Sequence, residues 1–450
     1  MHPADRPIPE IAAALRRGEL RVTELIEAHL DRIAARNPAL NAMVGIGAEA
    51  ALDAAVTADR ELREGQDKGP LHGIPFAVKD LIDMEGAVNS CGSRRFAGQI
   101  ARHDAAVIAR LRAAGAIPIG RAATYEFALT GPSFDAAYPP AVNPWSADHI
   151  TGGSSSGSAS AVAGGLVRLA LGTDTGGSVR SPAAYCGITG LKPTWGLVPM
   201  QGVFPLSPSL DHLGAMAASV AEAALMLDAM APECGASAAL GTGLKGLRIG
   251  YARDWFAHDP DAAPDLIAAM DDAASTLSML GARIALIPMP DYALAEAAGA
   301  VILHAEALET HREGLRDQFD LYGRQPRQSL AAGAGLTPED VARAKVAGQR
   351  IAREIDVLLA DHDAIIAPTT LAPAPPVAAF MGEETVWTAM RTLPFNLTGH
   401  PALSLPIGFS GGLPLGMQIV GAKYAEPTIC RIGAGFEAAT DHSAQSPYFA

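Results

Sequence analysis

The sequence predicts an α/β fold, in which helices and short strands alternate along the chain. Amphipathic helical segments are followed within a few residues by short apolar runs, which is typical of this class. The chain has 450 residues, of which 49% are apolar and 18% charged, so it can build a large core and is too apolar for intrinsic disorder. The stretch 143–215 is dense in glycine and serine, yet apolar runs interrupt it. It therefore predicts packed strands joined by tight loops, not a flexible linker.

The first third of the chain contains well-marked helices and strands. Residues 23–35 place their apolar side chains on one helical face, and residues 74–79 form an apolar run of strand length. Asp104 is a candidate N-cap for a helix that ends at Gly115. Residues 116–120 predict a strand immediately after that helix, which repeats the helix-then-strand pattern.

The rest of the chain continues this alternation. The predicted helices span residues 219–231, 264–280 and 339–361. The predicted strands span residues 166–171, 247–251, 283–287 and 364–367. Residues 401–420 predict two strands around a turn at Gly411 and Gly412. No internal repeat of 20–50 residues is visible, and we expect one compact α/β domain over residues 1–450.

Charge and composition exclude several classes of function. The net charge is −14, with 34 basic and 48 acidic residues, so binding to nucleic acid or to an anionic membrane surface is not expected. No stretch of 18 apolar residues predicts a membrane span, and the N-terminus has no signal-peptide core. The four cysteines form no C-x-x-C pair, which argues against a metal or redox motif. These features predict a soluble, cytoplasmic protein.

A lysine stands at the end of the first apolar strand. Lys79 closes the run that begins at Ile74, and Asp80 follows it. In one interpretation its amine reaches solvent or pairs with Asp80. In the other, the amine is drawn into the core, where burial would lower its pKa and leave a neutral amine able to accept a proton.

A loop of glycine and serine covers residues 152–158 and precedes a predicted helix. Backbone amides in such a loop can hold an anion or a carbonyl oxygen. A phosphate-binding loop would end in Gly-Lys-Ser/Thr, which is missing here. A G-x-S-x-G nucleophile elbow centred on Ser155 is formally present, and a further interpretation makes Ser154 a proton relay. The later residues that an elbow could use are Asp211, His212 and His400.

The strand over residues 166–171 runs into a second glycine turn, GTDTGGSVR, at residues 172–180. Gly176 and Gly177 beside Ser178 would let backbone N–H groups converge on one point. That is the geometry of an oxyanion hole, and the serine at its end is a candidate nucleophile. An ordinary tight turn with a solvated serine is the alternative.

Residues 152–196, GGSSSGSASAVAGGLVRLALGTDTGGSVRSPAAYCGITGLKPTWG, resemble the signature of the amidase signature family. The flanking matches are residues 71–80, 110–120, 143–145, 209–214 and 395–421. The resemblance covers nearly the whole chain, with a core signature over 71–215, a more variable helical portion at about 230–360 and C-terminal core strands within 395–421. It implies the amidase signature fold, a large twisted mixed β-sheet covered by helices on both faces.

The resemblance also implies a Ser–cis-Ser–Lys triad. By motif position, Ser178 corresponds to the nucleophile, Ser154 to the cis-serine and Lys79 to the base, and the two serines are 24 residues apart, as in the family pattern. The backbone amides that the resemblance assigns to the oxyanion hole are those of Thr175, Gly176, Gly177 and Ser178. No metal or organic cofactor is implied.

Other site residues follow from the same resemblance. The residues that it places around the substrate are Thr151, Gly152, Gly153 and the loop from Ala128 to Gly131. Arg180 is expected either to bind a substrate carboxylate or to pair with Asp174, and Asp174 is expected to brace the turn. Trp195, Met200 and Phe204 are expected either to border an acyl pocket or to belong to the core. His212 and His400 are expected to be structural. Ser156 replaces a usual glycine, which would strain the backbone if that position needs a positive φ.

The predicted function is hydrolysis of a carboxylic amide bond by a standalone amidase, through an acyl-enzyme on Ser178. Carbamate (urethane) hydrolysis is one alternative. The glutamine-hydrolysing A subunit of a tRNA-dependent amidotransferase is the other, but Ala389 stands where that protein carries an aspartate for the glutamine ammonium. The predicted partner is a small-molecule amide or carbamate, and a homodimer is the candidate assembly.

Overall fold

The computed structural model describes residues 2–445 and residue 447, and its strands form one mixed β-sheet. In chain order the strands are β1 (Met43–Ile46), β2 (Pro75–Lys79), β3 (Ile117–Ala122), β4 (Leu169–Asp174), β5 (Thr189–Lys192), β6 (His212–Ala217), β7 (Arg248–Tyr251), β8 (Arg283–Leu286), β9 (Ala364–Pro368), β10 (Ala402–Ser410) and β11 (Leu413–Val420). Their order across the sheet is β1-β3-β2-β4-β6-β5-β10-β11-β9-β7-β8.

The described part of the chain contains thirteen α-helices between and beside these strands. They are α1 (Ile8–Arg17), α2 (Val22–Leu40), α3 (Ala48–Arg63), α4 (Ala106–Ala113), α5 (Ser156–Ala163), α6 (Arg180–Cys186), α7 (Val220–Met230), α8 (Pro264–Met279), α9 (Tyr292–Asp317), α10 (Arg324–Gly333), α11 (Pro338–Asp361), α12 (Pro394–Leu397) and α13 (Glu426–Ala439). None of these described helices has the length and apolarity needed to cross a bilayer.

The sheet combines parallel and antiparallel pairing. Strand β2 runs parallel to β3 and β4, and β7 runs parallel to β8 and β9, while the remaining pairs are antiparallel. Every residue of β2, β3, β4 and β6 is buried. Because successive side chains of a strand point to opposite faces, both faces of this part of the sheet are covered. The predicted α/β class with a mixed sheet is therefore confirmed.

The parallel pair β2 and β4 positions the polar residues at one edge of the sheet. Val78 lies opposite Leu171, so the next residues along the two strands, Lys79 and Gly172, are neighbours. The carboxyl ends of parallel strands meet at the same edge. Lys79 and the turn that follows Asp174 are consequently brought together, although about a hundred residues separate them in the sequence.

One detail differs from the sequence prediction. Asp104 does not cap α4, whose N-cap is Ala105; its carboxylate instead accepts the Glu85 N–H at 2.9 Å and pairs with Arg112. The strands predicted at 247–251 and 283–287, within the mainly helical portion 230–360, are present as the adjacent strands β7 and β8. The organisation of the chain as one domain remains a prediction.

Candidate active site

A cavity of about 390 Å³ opens where the chain leaves β4. We call residues 152–154 and 175–178 its floor, because both glycine-serine segments meet there. The outer wall is the set of lining residues from α9 and from the segment before α12. It consists of Tyr292, Glu296, Ala300, Leu303, His304, Phe380, Val386, Trp387, Thr388, Met390 and Leu393. Residues 128–131 complete the lining beside Tyr125, Ile150, Ser181, Leu206 and Ser329.

Lys79 lies beneath the floor and is fully buried. Its Nζ is 2.9 Å from Ser154 Oγ, 2.9 Å from Ser155 Oγ and 2.8 Å from Thr173 Oγ1. Burial lowers the pKa of Lys79 to about 7, although the carboxylates of Asp174 and Asp211 act in the opposite direction. Of the two interpretations of Lys79, the structure supports the buried amine and excludes solvent exposure.

The three hydroxyls around Lys79 do not have equal roles. The Ser155 hydroxyl donates to the Thr173 carbonyl at 3.2 Å. A neutral amine has two N–H donors and one lone pair, so one neighbouring hydroxyl must donate to it. Ser154 and Thr173 are the two hydroxyls whose protons remain available for that bond. Thr173 and Ser155 were not singled out as partners of Lys79 by the sequence analysis.

Ser178 lies at the end of the glycine turn, is half-buried and lines the cavity. Its carbonyl accepts the Ser155 N–H at 3.3 Å, which ties the two floor segments together. Within the described residues its hydroxyl makes no hydrogen bond, so the link from Ser154 to Ser178 is not closed in this structure. Hydrogen bonds of this kind are often long without substrate and tighten when substrate binds.

The glycine turn presents unpaired amides to the cavity. Among the described residues, the N–H groups of Thr175, Gly176 and Ser178 have no hydrogen-bond acceptor. The N–H of Gly177 differs from what the resemblance implies, because it donates to Asp174 Oδ1 at 2.8 Å. Three of the four expected amides are thus free for a substrate oxygen, and the fourth braces the turn.

Asp174 and Arg180 hold the turn from below, and both are fully buried. Burial opposes ionisation of Asp174, yet the Arg180 guanidinium beside it holds the pKa of this carboxyl well below its usual range. Arg180 Nε and Nη2 lie 3.0 Å from the two carboxylate oxygens. Its other N–H groups donate to Thr392 O, Gln418 Oε1 and Asn396 Oδ1.

Two of the residues predicted to contact substrate lie outside the cavity lining. Arg180 is buried and adopts the second of its two expected roles, since it pairs with Asp174 and its other donors are committed to buried partners. Thr151 is buried outside the lining, and its hydroxyl donates to the carbonyl of Gly152. Gly152, Gly153 and Ala128 line the cavity, and their contact with substrate remains a prediction.

Glycine at position 153 follows from close packing. A Cβ there would lie 2.2 Å from the ring of Tyr125, which closes the floor on this side. The Gly153–Ser154 peptide bond is cis. Ser156 begins α5 and is not among the residues with positive φ, so the strain considered for this replacement of glycine does not arise.

The nucleophile elbow centred on Ser155 is not supported. Ser155 is fully buried beneath the floor, is absent from the cavity lining and forms hydrogen bonds with Lys79 and Thr173. His212 hydrogen-bonds to the carbonyl of Leu210, and His400 contacts Thr398 and Asp356. Asp211 accepts the Thr175 hydroxyl at 2.6 Å, so it supports the turn.

The outer wall was not found from the sequence. Tyr292, Glu296, Ala300 and His304 recur at four-residue spacing on α9, which places them on one face of that helix. A mixed polar and apolar face of this kind gives no periodic signal that sequence inspection would single out. Trp195, Met200 and Phe204, the alternative pocket residues, do not line the cavity, and Phe204 instead packs on Phe127.

The residues described by the structure contain no group of three or more His, Cys, Asp or Glu side chains placed to hold a metal ion. The polar groups of the floor are hydroxyls, amides and one amine. This set is suited to moving a proton and to stabilising an oxyanion.

This chain is similar to known proteins over nearly its whole length. A sequence profile of the amidase family matches residues 24–430. The A subunit of the glutamyl-tRNA(Gln) amidotransferase of Chloroflexus aurantiacus is 36% identical over 472 residues, covering 97% of this chain and 96% of that protein.

Solved structures give the same result for the fold. The peptide amidase of Stenotrophomonas maltophilia is 31% identical with a TM-score of 0.82, covering 96% of each chain. A structure described as a vestigial protein complex that reveals the origins of an s-triazine catabolic enzyme is 33% identical with a TM-score of 0.89. That match covers 95% of this chain and 97% of the other.

Proposed function

The chain belongs to the amidase family, and from that premise we propose that it hydrolyses a carboxamide through an acyl-enzyme on Ser178. The single observation that carries the proposal is the buried amine of Lys79, 2.9 Å from Ser154 Oγ and beside the cavity that Ser178 lines. A pKa of about 7 leaves a large share of this amine neutral at physiological pH. A serine hydroxyl is a weak nucleophile until such a base removes its proton.

The proton moves in two steps. The Ser154 hydroxyl donates to neutral Lys79 and, in turn, accepts the proton of the Ser178 hydroxyl. This second hydrogen bond forms when substrate fills the cavity and orients the Ser178 side chain. Ser178 Oγ then attacks the carbonyl carbon, and its proton reaches Lys79 by way of Ser154.

The developing oxyanion is held by the free amides of Thr175, Gly176 and Ser178. Each such donor contributes roughly 3–4 kcal/mol to transition-state stabilisation in enzymes of this kind. Protonated Lys79 returns its proton through Ser154 to the leaving nitrogen, which departs as ammonia or an amine. Water then attacks the acyl-enzyme with the same base, restoring Ser178 and releasing a carboxylic acid.

We propose an uncharged acyl group next to the reacting carbonyl. Leu129, Ile150, Leu206 and Met390 are among the apolar residues lining the cavity. No Lys or Arg is found in the lining formed by the described residues. An anionic substrate would therefore lose its hydration without gaining a cationic partner, which is unfavourable.

The second candidate is glutamine hydrolysis, as the A subunit of an amidotransferase. The similarity to proteins of that name supports it, with 36–37% identity over nearly the whole chain. Two features oppose it: Ala389 replaces the expected aspartate, and the described cavity lining offers no cation for the α-carboxylate of glutamine. Carbamate hydrolysis would use the same groups, since it also attacks a carbonyl bonded to nitrogen.

The test is turnover by the purified chain alone. We expect ammonia or amine release from neutral aliphatic and aryl amides, no comparable release from glutamine, and labelling of Ser178 by a serine-directed phosphonate, located by mass spectrometry. Ammonia release from glutamine but not from the other amides would favour the amidotransferase, and so would release that requires an added partner protein. Labelling of Ser155 would overturn the proposed nucleophile.

Three related proposals are tested separately. A panel of carbamates in the same assay decides between amide and urethane preference. We predict that the enzyme works in the cytoplasm, which localisation of a tagged chain in cells would check. The proposed homodimer is tested by gel filtration of the purified chain.

A further inference from the structure

The outer wall carries a single carboxylate, that of Glu296, whose side chain is exposed at the cavity. The Tyr292 hydroxyl donates to Glu296 Oε1 at 2.9 Å, which fixes the carboxylate on the same face of α9. Within the described residues Oε2 has no partner and remains available for a ligand. An oriented carboxylate with an open oxygen can accept a hydrogen bond from a cationic group.

The basic groups nearby do not neutralise this carboxylate. Arg391 lies over the Tyr292 ring, 3.9 Å from its centroid, and is not among the residues that line the cavity. Its guanidinium is paired with Asp259 and donates to the Trp255 carbonyl, so its charge is balanced there. Burial lowers the pKa of His304, the imidazole of the wall, which disfavours its cationic form.

Aromatic residues flank the same opening. Trp387 lines the cavity while 62% exposed, and its ring meets His304 edge to face at 6.1 Å between centroids. Trp387 thus places an exposed ring at the cavity, and the face of a Trp ring attracts cations. The described wall lining therefore combines one negative charge, this exposed ring and no positive charge.

From this combination we propose that Glu296 makes the site select amides whose end remote from the scissile carbonyl carries a positive charge, such as an amine or a quaternary ammonium. The inference rests on the proposed function, because it places the reacting carbonyl at the floor. The apolar side chains between floor and wall then accommodate the spacer that joins the carbonyl to the cation.

The experiment compares carboxamides of equal length that end in an ammonium, a methyl or a carboxylate group. We expect kcat/KM of the wild-type protein to be at least tenfold higher for the ammonium than for the methyl series, and lowest for the carboxylate. Glu296→Gln should reduce the ratio of kcat/KM for the ammonium series to kcat/KM for the methyl series toward one. Glu313→Gln, an exposed position on α9 outside the lining, should leave it unchanged. An ammonium preference that is absent, or that survives Glu296→Gln, overturns the proposal.

Two further measurements keep the outcomes separate. The ammonium preference of the wild-type protein should shrink as salt rises, since an exposed charge interaction is screened, and this does not depend on any variant folding. Calorimetric binding of the same three amides to Ser178→Ala tests the selection without turnover. If no amide is hydrolysed but the ammonium compound binds most tightly, the proposed reaction fails and the selection stands; equal binding of all three contradicts the selection.

Discussion

The floor and the outer wall of the cavity are built in opposite ways. Floor residues Ser154 and Thr175 are at most 2% exposed, and the supporting Lys79, Asp174 and Arg180 are fully buried. Lys79 hydrogen-bonds to Ser154, and Arg180 hydrogen-bonds to Asp174. The wall includes exposed Glu296 and a largely exposed Trp387. The segment before Trp387 is held to α10 by hydrogen bonds from Arg324 and Gln328 to backbone carbonyls.

From this difference we infer that the floor serves catalysis and the wall serves substrate preference. The buried hydrogen bonds of Lys79, Asp174 and Arg180 hold the reacting groups in one arrangement and shift the pKa values of Lys79 and Asp174, which the proposed chemistry requires. Residues of the exposed wall, which is held by a few hydrogen bonds, can be substituted without disturbing the arrangement of the floor. We therefore expect changes in the floor to affect catalysis or folding strongly, and changes in the wall to affect substrate preference.

The largest effect is expected for the proposed nucleophile. Ser178→Ala should lower kcat on a neutral amide by roughly 10⁴-fold or more, because the proposed mechanism forms the acyl-enzyme on this hydroxyl. Steady-state kinetics with ammonia detection measures the loss. The control is Ser278→Ala, an exposed serine at the end of α8, which should keep wild-type kinetics. Substantial turnover by Ser178→Ala would remove this residue from the mechanism.

The second prediction concerns the buried ion pair of Asp174 and Arg180, which supports the floor. Asp174→Asn leaves the Arg180 guanidinium buried without its counter-charge, and we expect the free energy of unfolding to fall by roughly 3–5 kcal/mol. Urea unfolding measures it. The matched variant Asp271→Asn breaks the partly exposed pair with Arg253, whose side chains are 41% and 35% exposed, and should lose about 1 kcal/mol or less. Equal losses in both variants would mean that the buried pair does not brace the turn.

The pH dependence of kcat/KM tests whether Lys79 is the base of the floor. If neutral Lys79 is the base, kcat/KM should level off above its pKa of about 7 and fall about tenfold for each unit below it. Burial raises the pKa of Asp211 to about 6, so this group titrates nearby. Asp211→Asn should keep a transition near pH 7. Loss of the transition in that variant would assign it to Asp211 instead.

The same shift has a consequence for stability. The pKa of Lys79 is lower in the folded protein than its ordinary value of 10.5, so the unfolded state binds more protons between those two values. Stability from this group therefore increases as pH rises from about 7 toward 10. Its contribution is measured by comparing the pH dependence of unfolding for wild type and Lys79→Met.

The smallest effect is expected in the wall. Trp387→Ala should raise KM for an apolar amide by roughly three- to tenfold, with a smaller change in kcat, because it removes apolar contact area remote from the reacting carbonyl. Trp195→Ala is the control, since Trp195 is 48% exposed and lies outside the lining. A drop in kcat comparable with that of a floor variant would contradict the separation of tasks.

The floor was largely predictable because its requirements are local. Turns at Gly153 and Gly177 leave no room for a Cβ, and the serines follow these turns at fixed positions in the chain. The family signature therefore located Ser154, Ser178 and Lys79, and the structure places Lys79 and Ser154 in contact. In the structure Thr151 lies outside the lining, the Gly177 amide donates to Asp174, and Arg180 adopts the second of its two expected roles by pairing with Asp174.

The outer wall could not be predicted because α9 and the segment before α12 meet only in three dimensions. Nothing in the sequence around Glu296 marks it as lining the same cavity as Ser178, and its spacing from Tyr292 and His304 is that of any helical face. The family similarity likewise leaves open which substrate the wall admits, because relatives with different names share this fold.

The amino-acid sequence by itself determined the α/β class, most strand positions, the amidase family and the glycine-serine turns, because these depend on local periodicity and on backbone conformations that few residues can adopt. Only the tertiary structure decided the burial and lowered pKa of Lys79, the commitment of Arg180 to Asp174 and the charge of the cavity lining. A pKa, a filled hydrogen bond and an electrostatic potential all depend on distances between groups from distant parts of the chain. Those distances are fixed when β2, β4 and α9 pack together.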